Sequence, residues 1–93
     1  IIDKSIISMI QRCNLGVELY IENIFRYIIL KDDGIINIRY EKKNRSVKFN
    51  RNKYPVFNKK NCCILVIKSE LNNEINIKLM NNGTIYIYMV LDQ

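Results

Sequence analysis

The sequence contains no histidine, no tryptophan and no alanine, and only one proline and three glycines among its 93 residues. Without histidine, the chain lacks the commonest acid–base residue and the commonest nitrogen ligand for metals. The three cysteines, Cys13, Cys62 and Cys63, show no C-x-x-C spacing. We therefore expect them to be small buried thiols in a reducing, intracellular compartment, and we expect no metal site and no cofactor.

Long apolar runs are also missing, because no uncharged stretch approaches the ~18 residues that a membrane-spanning helix requires. We expect no membrane contact. The composition, 48% apolar and 26% charged, is typical of a folded domain. The length permits one domain at most, and because the chain does not begin with Met we expect residues 1–93 to be part of a longer protein.

The positive charge of the chain is concentrated in one segment. The formal net charge is +6, but residues 42–60 hold eight basic and no acidic side chains, while the other residues together carry a net charge of −2. This segment also contains the single proline, Pro55, and it predicts a basic loop, with a short strand at residues 47–49. A basic loop can contact phosphates; the alternative is a solvated surface that keeps the protein soluble. The proposed phosphate-contacting residues are Lys42, Lys43, Arg45, Lys48, Arg51 and Lys53.

Apolar residues alternate with polar ones in several short stretches, which is typical of β-strands. Such strands are predicted at residues 6–13 and 35–40, and a near-continuous apolar run predicts a central strand at 62–68. Residues 74–80 and 84–90 alternate on either side of Asn81-Asn82-Gly83. Asn-Gly between alternating runs predicts a hairpin with a type I′ turn.

One segment has a helical period instead. Between residues 18 and 30, Ile21, Ile24, Phe25 and Ile28 form a single apolar stripe. The predicted order is therefore β-α-β-(basic loop)-β-β-β, an α+β domain with a mostly antiparallel sheet. Alternation gives the last hairpin one apolar face, with Ile75, Ile77, Leu79, Ile85, Ile87 and Met89, which we expect to pack against the helical stripe.

Three strings in this order resemble one repeat of the TATA-box-binding protein family, in the form found in large DNA viruses. Residues 15–25, LGVELYIENIF, resemble the family's L-G-x-x-L-D-L-x-x-I-A, and residues 74–85, EINIKLMNNGTI, resemble the viral I-N-I-K-L-F-x-N-G-x-I. Phe57-Asn58 is similar to the F-x-N-Q of viral members. The resemblance covers roughly residues 6–90 and implies a curved sheet with helix on its convex face, a half-saddle (β-α-β-β-β-β).

The resemblance also implies a DNA-binding surface. In the family, the concave side of the sheet lies on the minor groove of AT-rich double-stranded DNA and bends it. The residues that this implies for the DNA-contacting side are Ser8, Ile10, Arg12, Asn76, Lys78, Met80, Tyr86 and Tyr88. Met80 stands where the family has a phenylalanine that wedges between bases, and Lys78 and Tyr86 replace smaller residues.

These features predict a transcription initiation factor that recruits RNA polymerase together with other transcription factors, in the nucleus or a viral factory, or packaged in a virion. A family member has two repeats, so we expect a second repeat in the same chain or in a partner. The alternative is a protein-interaction or virion scaffold module without DNA contact, with Tyr86, Tyr88 and Lys78 as interface anchors. An enzyme is not expected, because the one carboxylate pair, Asp32-Asp33, lies in a predicted turn.

Overall fold

A computed structural model describes residues 5–47, 54–71 and 73–92. Within these residues the fold is α+β: an open, antiparallel sheet of six strands in the order β1-β6-β5-β4-β2-β3, with one short helix. The elements are β1 (Ser5–Asn14), α1 (Ile21–Tyr27), β2 (Ile35–Tyr40), β3 (Lys43–Ser46), β4 (Cys62–Lys68), β5 (Glu74–Met80) and β6 (Thr84–Asp92).

The helix is shorter than the apolar period predicts. It begins at Ile21 and ends at Tyr27, whereas the stripe suggested a helix up to Leu30. No side chain caps its N-terminus, and Ile28 already has an extended backbone, with φ −63° and ψ 141°. An isolated helix of seven residues is not stable in water, so its packing against the sheet must hold it.

The predicted stripe does form the contact between helix and sheet. Ile21 and Phe25 belong to a buried cluster with Ile38, Tyr40, Cys63 and Leu65, and Ile24 and Ile28 pack against it. The helix packs mainly against β2 and β4. Ile77 and Leu79 of the predicted apolar wall also touch this cluster. Pairing of Ile77 with Ile87 and of Leu79 with Ile85 puts the β6 isoleucines on the same face, where they are half-buried.

The last hairpin is present, but its turn differs from the predicted type I′. The amide of Gly83 donates to the carbonyl of Met80, at 2.9 Å, so Asn81 and Asn82 are the central residues. Gly83 alone in this turn has a positive φ, of 90°. This is a three-residue loop in which glycine follows an ordinary turn. It also docks on the chain after β1, because Leu15 and Leu19 donate to the carbonyls of Gly83 and Asn81.

A second hairpin lies where the sequence predicted only a basic loop. β2 and β3 pair directly, with Tyr40 opposite Lys43, and the two residues between them, Glu41 and Lys42, have φ values of 49° and 65°. A two-residue turn with two positive φ values is the geometry of a type I′ turn. A short strand was predicted at residues 47–49, but Val47 comes after the end of β3 and is not in a strand. Residues 48 and 49 lie outside the described residues.

Candidate nucleic-acid interface

Strand pairing aligns side chains in rows across the face of the sheet opposite the helix, which we call the polar face. One row runs Arg12, Tyr86, Lys78, Ile64 and Arg39, on β1, β6, β5, β4 and β2. A second row runs through Tyr88, Asn76, Val66 and Asn37, with Ile10 opposite Tyr88 in the register. Met80 lies opposite Cys62 at the end of the sheet near the last turn.

The register brings together most of the side chains that the sequence predicted for DNA contact. Arg12, Tyr86 and Lys78 are direct cross-strand neighbours, and Asn76 is opposite Tyr88. Ser8 is the exception. The register of β1 shifts between Ile7 and Met9, so the strict alternation that grouped Ser8 with Ile10 and Arg12 is interrupted at Ser8.

The part of the polar face on β1, β6 and β5, here called the open half, combines cations with aromatic rings. Arg12 is exposed, and its guanidinium carbon lies 6.0 Å from the centre of the Tyr86 ring. Lys78, Tyr86, Tyr88 and Met80 are each half-buried. The cationic Arg12 beside the Tyr86 ring is a combination that suits contact with phosphates and sugars.

The part of the polar face on β4 and β2, here called the covered half, is buried. Val66 and Asn37 are both 0% exposed, and Ile64 is 8% exposed. Two residues of the basic segment, Tyr54 and Pro55, contact this half. The carbonyl of Pro55 accepts a hydrogen bond from Nη1 of Arg39, at 3.1 Å, and the Tyr54 hydroxyl donates to Oε1 of Glu74 on β5, at 2.9 Å.

The basic segment therefore does not form a single phosphate-contacting loop. Lys42 is in the turn, and Lys43 and Arg45 are in β3, on the helix side of the sheet because they pair with Tyr40 and Ile38. Arg45 donates from Nη1 to the carbonyl of Phe25, at 2.5 Å, and lies over the Phe25 ring. Arg45 therefore contacts the helix, and its phosphate role stays a prediction. Lys48, Arg51 and Lys53 lie outside the described residues.

Arg39 is the residue of this face that the sequence prediction missed. It shares its row with Lys78 and Arg12, yet it is only 6% exposed. Burial lowers the pKa of Arg39, while nearby Tyr88 and Tyr54 act in the opposite direction. Alternation already put Arg39 on the side away from Ile38 and Tyr40. The strand order, which aligns it with Lys78, is not visible in the sequence.

Tyr88 on β6 lies close enough to Arg39 on β2 for each residue to affect the pKa of the other. Burial raises the pKa of its phenol, and the positive charge of Arg39 partly offsets that rise. At the other end of the face, burial raises the pKa of Cys62, and the charges of Lys78 and Lys59 lower it again. Arg39, Lys78 and Lys59 are therefore all close enough to this face to contribute positive potential to it.

The described part of the chain contains no group of three or more residues that could hold a metal ion. Cys13 is exposed, and Cys62 and Cys63 are buried and unbridged. Among the described helices none is long and apolar enough to cross a membrane.

Comparisons with protein-family models, with curated proteins and with solved structures find no match to this chain.

Proposed function

We propose that this chain is a repeat of the TATA-box-binding kind that binds AT-rich double-stranded DNA through the open half of its polar face. In this proposal it acts as a transcription initiation factor that recruits RNA polymerase with partner factors, and a second repeat, in the same chain or in a partner, completes the saddle. The observation that carries the proposal is the alignment of Arg12 and Lys78 with Tyr86 and Tyr88 on one accessible face.

Each side chain has a distinct task in the proposed complex. Arg12 and Lys78 neutralise phosphates on either side of the minor groove, which releases counterions and makes binding strongly dependent on salt. Tyr86 and Tyr88 lie flat against sugars and base edges. Met80 is half-buried at the end of the face, and it is the wedge that opens a base step and bends the duplex.

The test compares the same charge reversal at two lysines, one on the polar face and one away from it. Lys78→Glu should lower affinity for an AT-rich duplex on the order of tenfold and reduce the slope of log affinity against log salt by about one. Lys31→Glu, at an exposed site in the turn before β2, makes the same change of charge away from this face. Equal losses in the two variants would show that only net charge matters and would reject the proposed interface.

A second candidate function is favoured by the cover over β2 and β4. Because Tyr54 and Pro55 occupy the covered half, the free protein offers only part of its sheet to a duplex. The open half remains available to a protein partner, and Tyr86 and Tyr88 are the residue type that anchors protein interfaces. In this case the chain is a scaffold module without DNA contact, and its binding to the partner would change little with salt, whereas duplex binding must weaken steeply.

A further inference from the structure

Three cations of the polar face lie on one line across the sheet. Arg12, Lys78 and Arg39 occupy one row on β1, β5 and β2, which are alternate strands of the sheet order. Neighbouring strands are ~4.8 Å apart, so successive cations on this line are separated by about 10 Å. Arg12 is exposed and Lys78 half-buried, but Arg39 is almost completely enclosed.

Residues 54 and 55 enclose Arg39 with a small number of contacts. The Arg39 guanidinium carbon lies 5.3 Å from the centre of the Tyr54 ring, and Nη1 donates to the Pro55 carbonyl. The Tyr54 hydroxyl reaches the Glu74 carboxylate, so this side chain spans the face from β2 to β5. The residues that follow are held to the β2–β3 turn by other hydrogen bonds. The amide of Lys42 donates to the carbonyl of Phe57, and the amide of Glu41 donates to the carbonyl of Lys59.

The enclosed guanidinium is incompletely satisfied. Nε of Arg39 is buried and has no hydrogen-bond partner among the described residues. The same is true of Oδ1 of Asn37, the neighbouring polar-face residue on β2. A buried donor of a charged group without a partner carries a desolvation cost, and a phosphate that accepted from Nε and a terminal nitrogen together would remove it.

We infer that residues 54–56 are an autoinhibitory strap, closed over Arg39 in the free protein and displaced when a duplex binds. Displacement of the strap exposes Arg39, so that the duplex can contact it as well as Arg12 and Lys78. The interface then extends from the open half to the covered half. The anchored carbonyls of Phe57 and Lys59 keep the end of the strap attached while Tyr54 and Pro55 move. This inference rests on the proposed function, because it concerns the same ligand and the same face.

The test uses Tyr54→Ala, which removes both the ring over Arg39 and the bond to Glu74. Affinity for an AT-rich duplex should rise several-fold, because the strap no longer has to be displaced. In the Arg39→Gln background the same change should give a smaller gain, and the salt slope should be flatter by about 0.9 than in Tyr54→Ala alone. Tyr54→Phe, which keeps the ring and adds no charge, should give a smaller gain in the same direction.

A readout without DNA separates failure of the strap from failure of the proposed function. The Nε–H of Arg39 should exchange slowly with solvent in the wild type, as seen by nuclear magnetic resonance, and rapidly in Tyr54→Ala. Rapid exchange with unchanged duplex affinity and slope would overturn the strap but leave the function standing. If neither the wild type nor Tyr54→Ala binds duplex at low salt, the proposed function is wrong and the strap with it. If Tyr54→Ala does not fold, a Tyr54→Phe variant that binds no more tightly than wild type overturns the strap.

Discussion

The two halves of the sheet differ in how they are covered. β2 and β4 have the helix on one side and Tyr54 and Pro55 on the other, and residues 36–40 and 62–66 are buried without interruption. On β5 and β6, residues 74–80 and 85–89 are half-buried throughout, and residues 11–14 of β1 are exposed. The comparison indicates that one half supplies the stability of the domain, and the other holds the surface that is available for binding.

Truncation of isoleucine in each half should show the largest difference. Ile38 on β2 is 0% exposed, whereas Ile87 on β6 is half-buried, and both lie on the helix side of the sheet. Ile38→Ala should lower the free energy of unfolding by about 3–4 kcal/mol, and Ile87→Ala by about 1 kcal/mol. Urea denaturation of the two variants measures this directly. Equal losses would show that β5 and β6 carry as much of the core as β2 and β4.

A pair of glycine substitutions tests how the open half is held at its end. Gly16 and Gly83 both have positive φ values, but a Cβ at Gly16 meets nothing, whereas at Gly83 it overlaps the carbonyl oxygen of Val17. Gly16→Ala should cost about 1 kcal/mol of backbone strain, and Gly83→Ala about 3 kcal/mol, because the last turn must separate from the chain after β1. Thermal denaturation gives both values. Similar costs would mean that this docking contributes little.

The buried thiol of Cys63 on β4 predicts that stability depends on alkaline pH. Burial, with a smaller effect of Cys62, raises the pKa of Cys63 from 9.0 to about 12. The pKa of the Cys63 thiol is thus higher in the folded protein than in the unfolded one. The neutral thiol therefore contributes its full stabilisation of the fold below the unfolded pKa, and this contribution is lost as pH rises towards the folded pKa.

The measurement compares wild type with Cys63→Ala at neutral pH and near pH 10.5. Wild type should lose about 2 kcal/mol more than the variant over this interval, at up to ~1.4 kcal/mol per pH unit. Parallel losses would show that Cys63 ionises as easily in the folded as in the unfolded protein. Cys13, which is exposed, should react with thiol reagents in the native protein while Cys63 does not.

The smallest expected effect concerns the turn beside the covered half. Lys42 has a φ of 65° and carries a side chain in a conformation that favours glycine. Lys42→Gly should therefore raise the free energy of unfolding by about 0.5–1 kcal/mol. Lys43→Gly, one residue later in β3, should lower it by a similar amount. If both substitutions destabilise, the turn is not strained at Lys42.

The sequence predicted the parts of this fold that depend on local pattern. The bounds of β2, β4 and β5 follow from alternation and apolar runs, and the stripe of Ile21 and Phe25 marks the helix face. β3 was missed because its residues, KNRS, contain no apolar pattern and its turn, Glu41-Lys42, contains no glycine or asparagine. Side-chain hydrogen bonds from the neighbouring strand β2 help to hold β3 in its register, because Asn37 donates to the side chains of Asn44 and Ser46.

The candidate site was predictable only in part for the same reason. Alternation places Lys78, Tyr86 and Tyr88 on one face, because a single hairpin brings them together. The position of Arg39 in the same row depends on the non-local order of the strands, and its burial depends on Tyr54, which is distant in sequence. A charge run from residue 42 to residue 60 likewise does not reveal that Arg45 turns to the helix.

The most direct test of the central claim is to map the duplex on the protein by amide chemical shifts during titration with AT-rich DNA. If the duplex binds the open half, the amide chemical shifts should change most at Gln11–Cys13 on β1, around Lys78 on β5 and at Tyr86–Tyr88 on β6. The amides of α1 should change little. Shifts concentrated in α1 and the chain before it, with β1, β5 and β6 unaffected, would contradict the central claim.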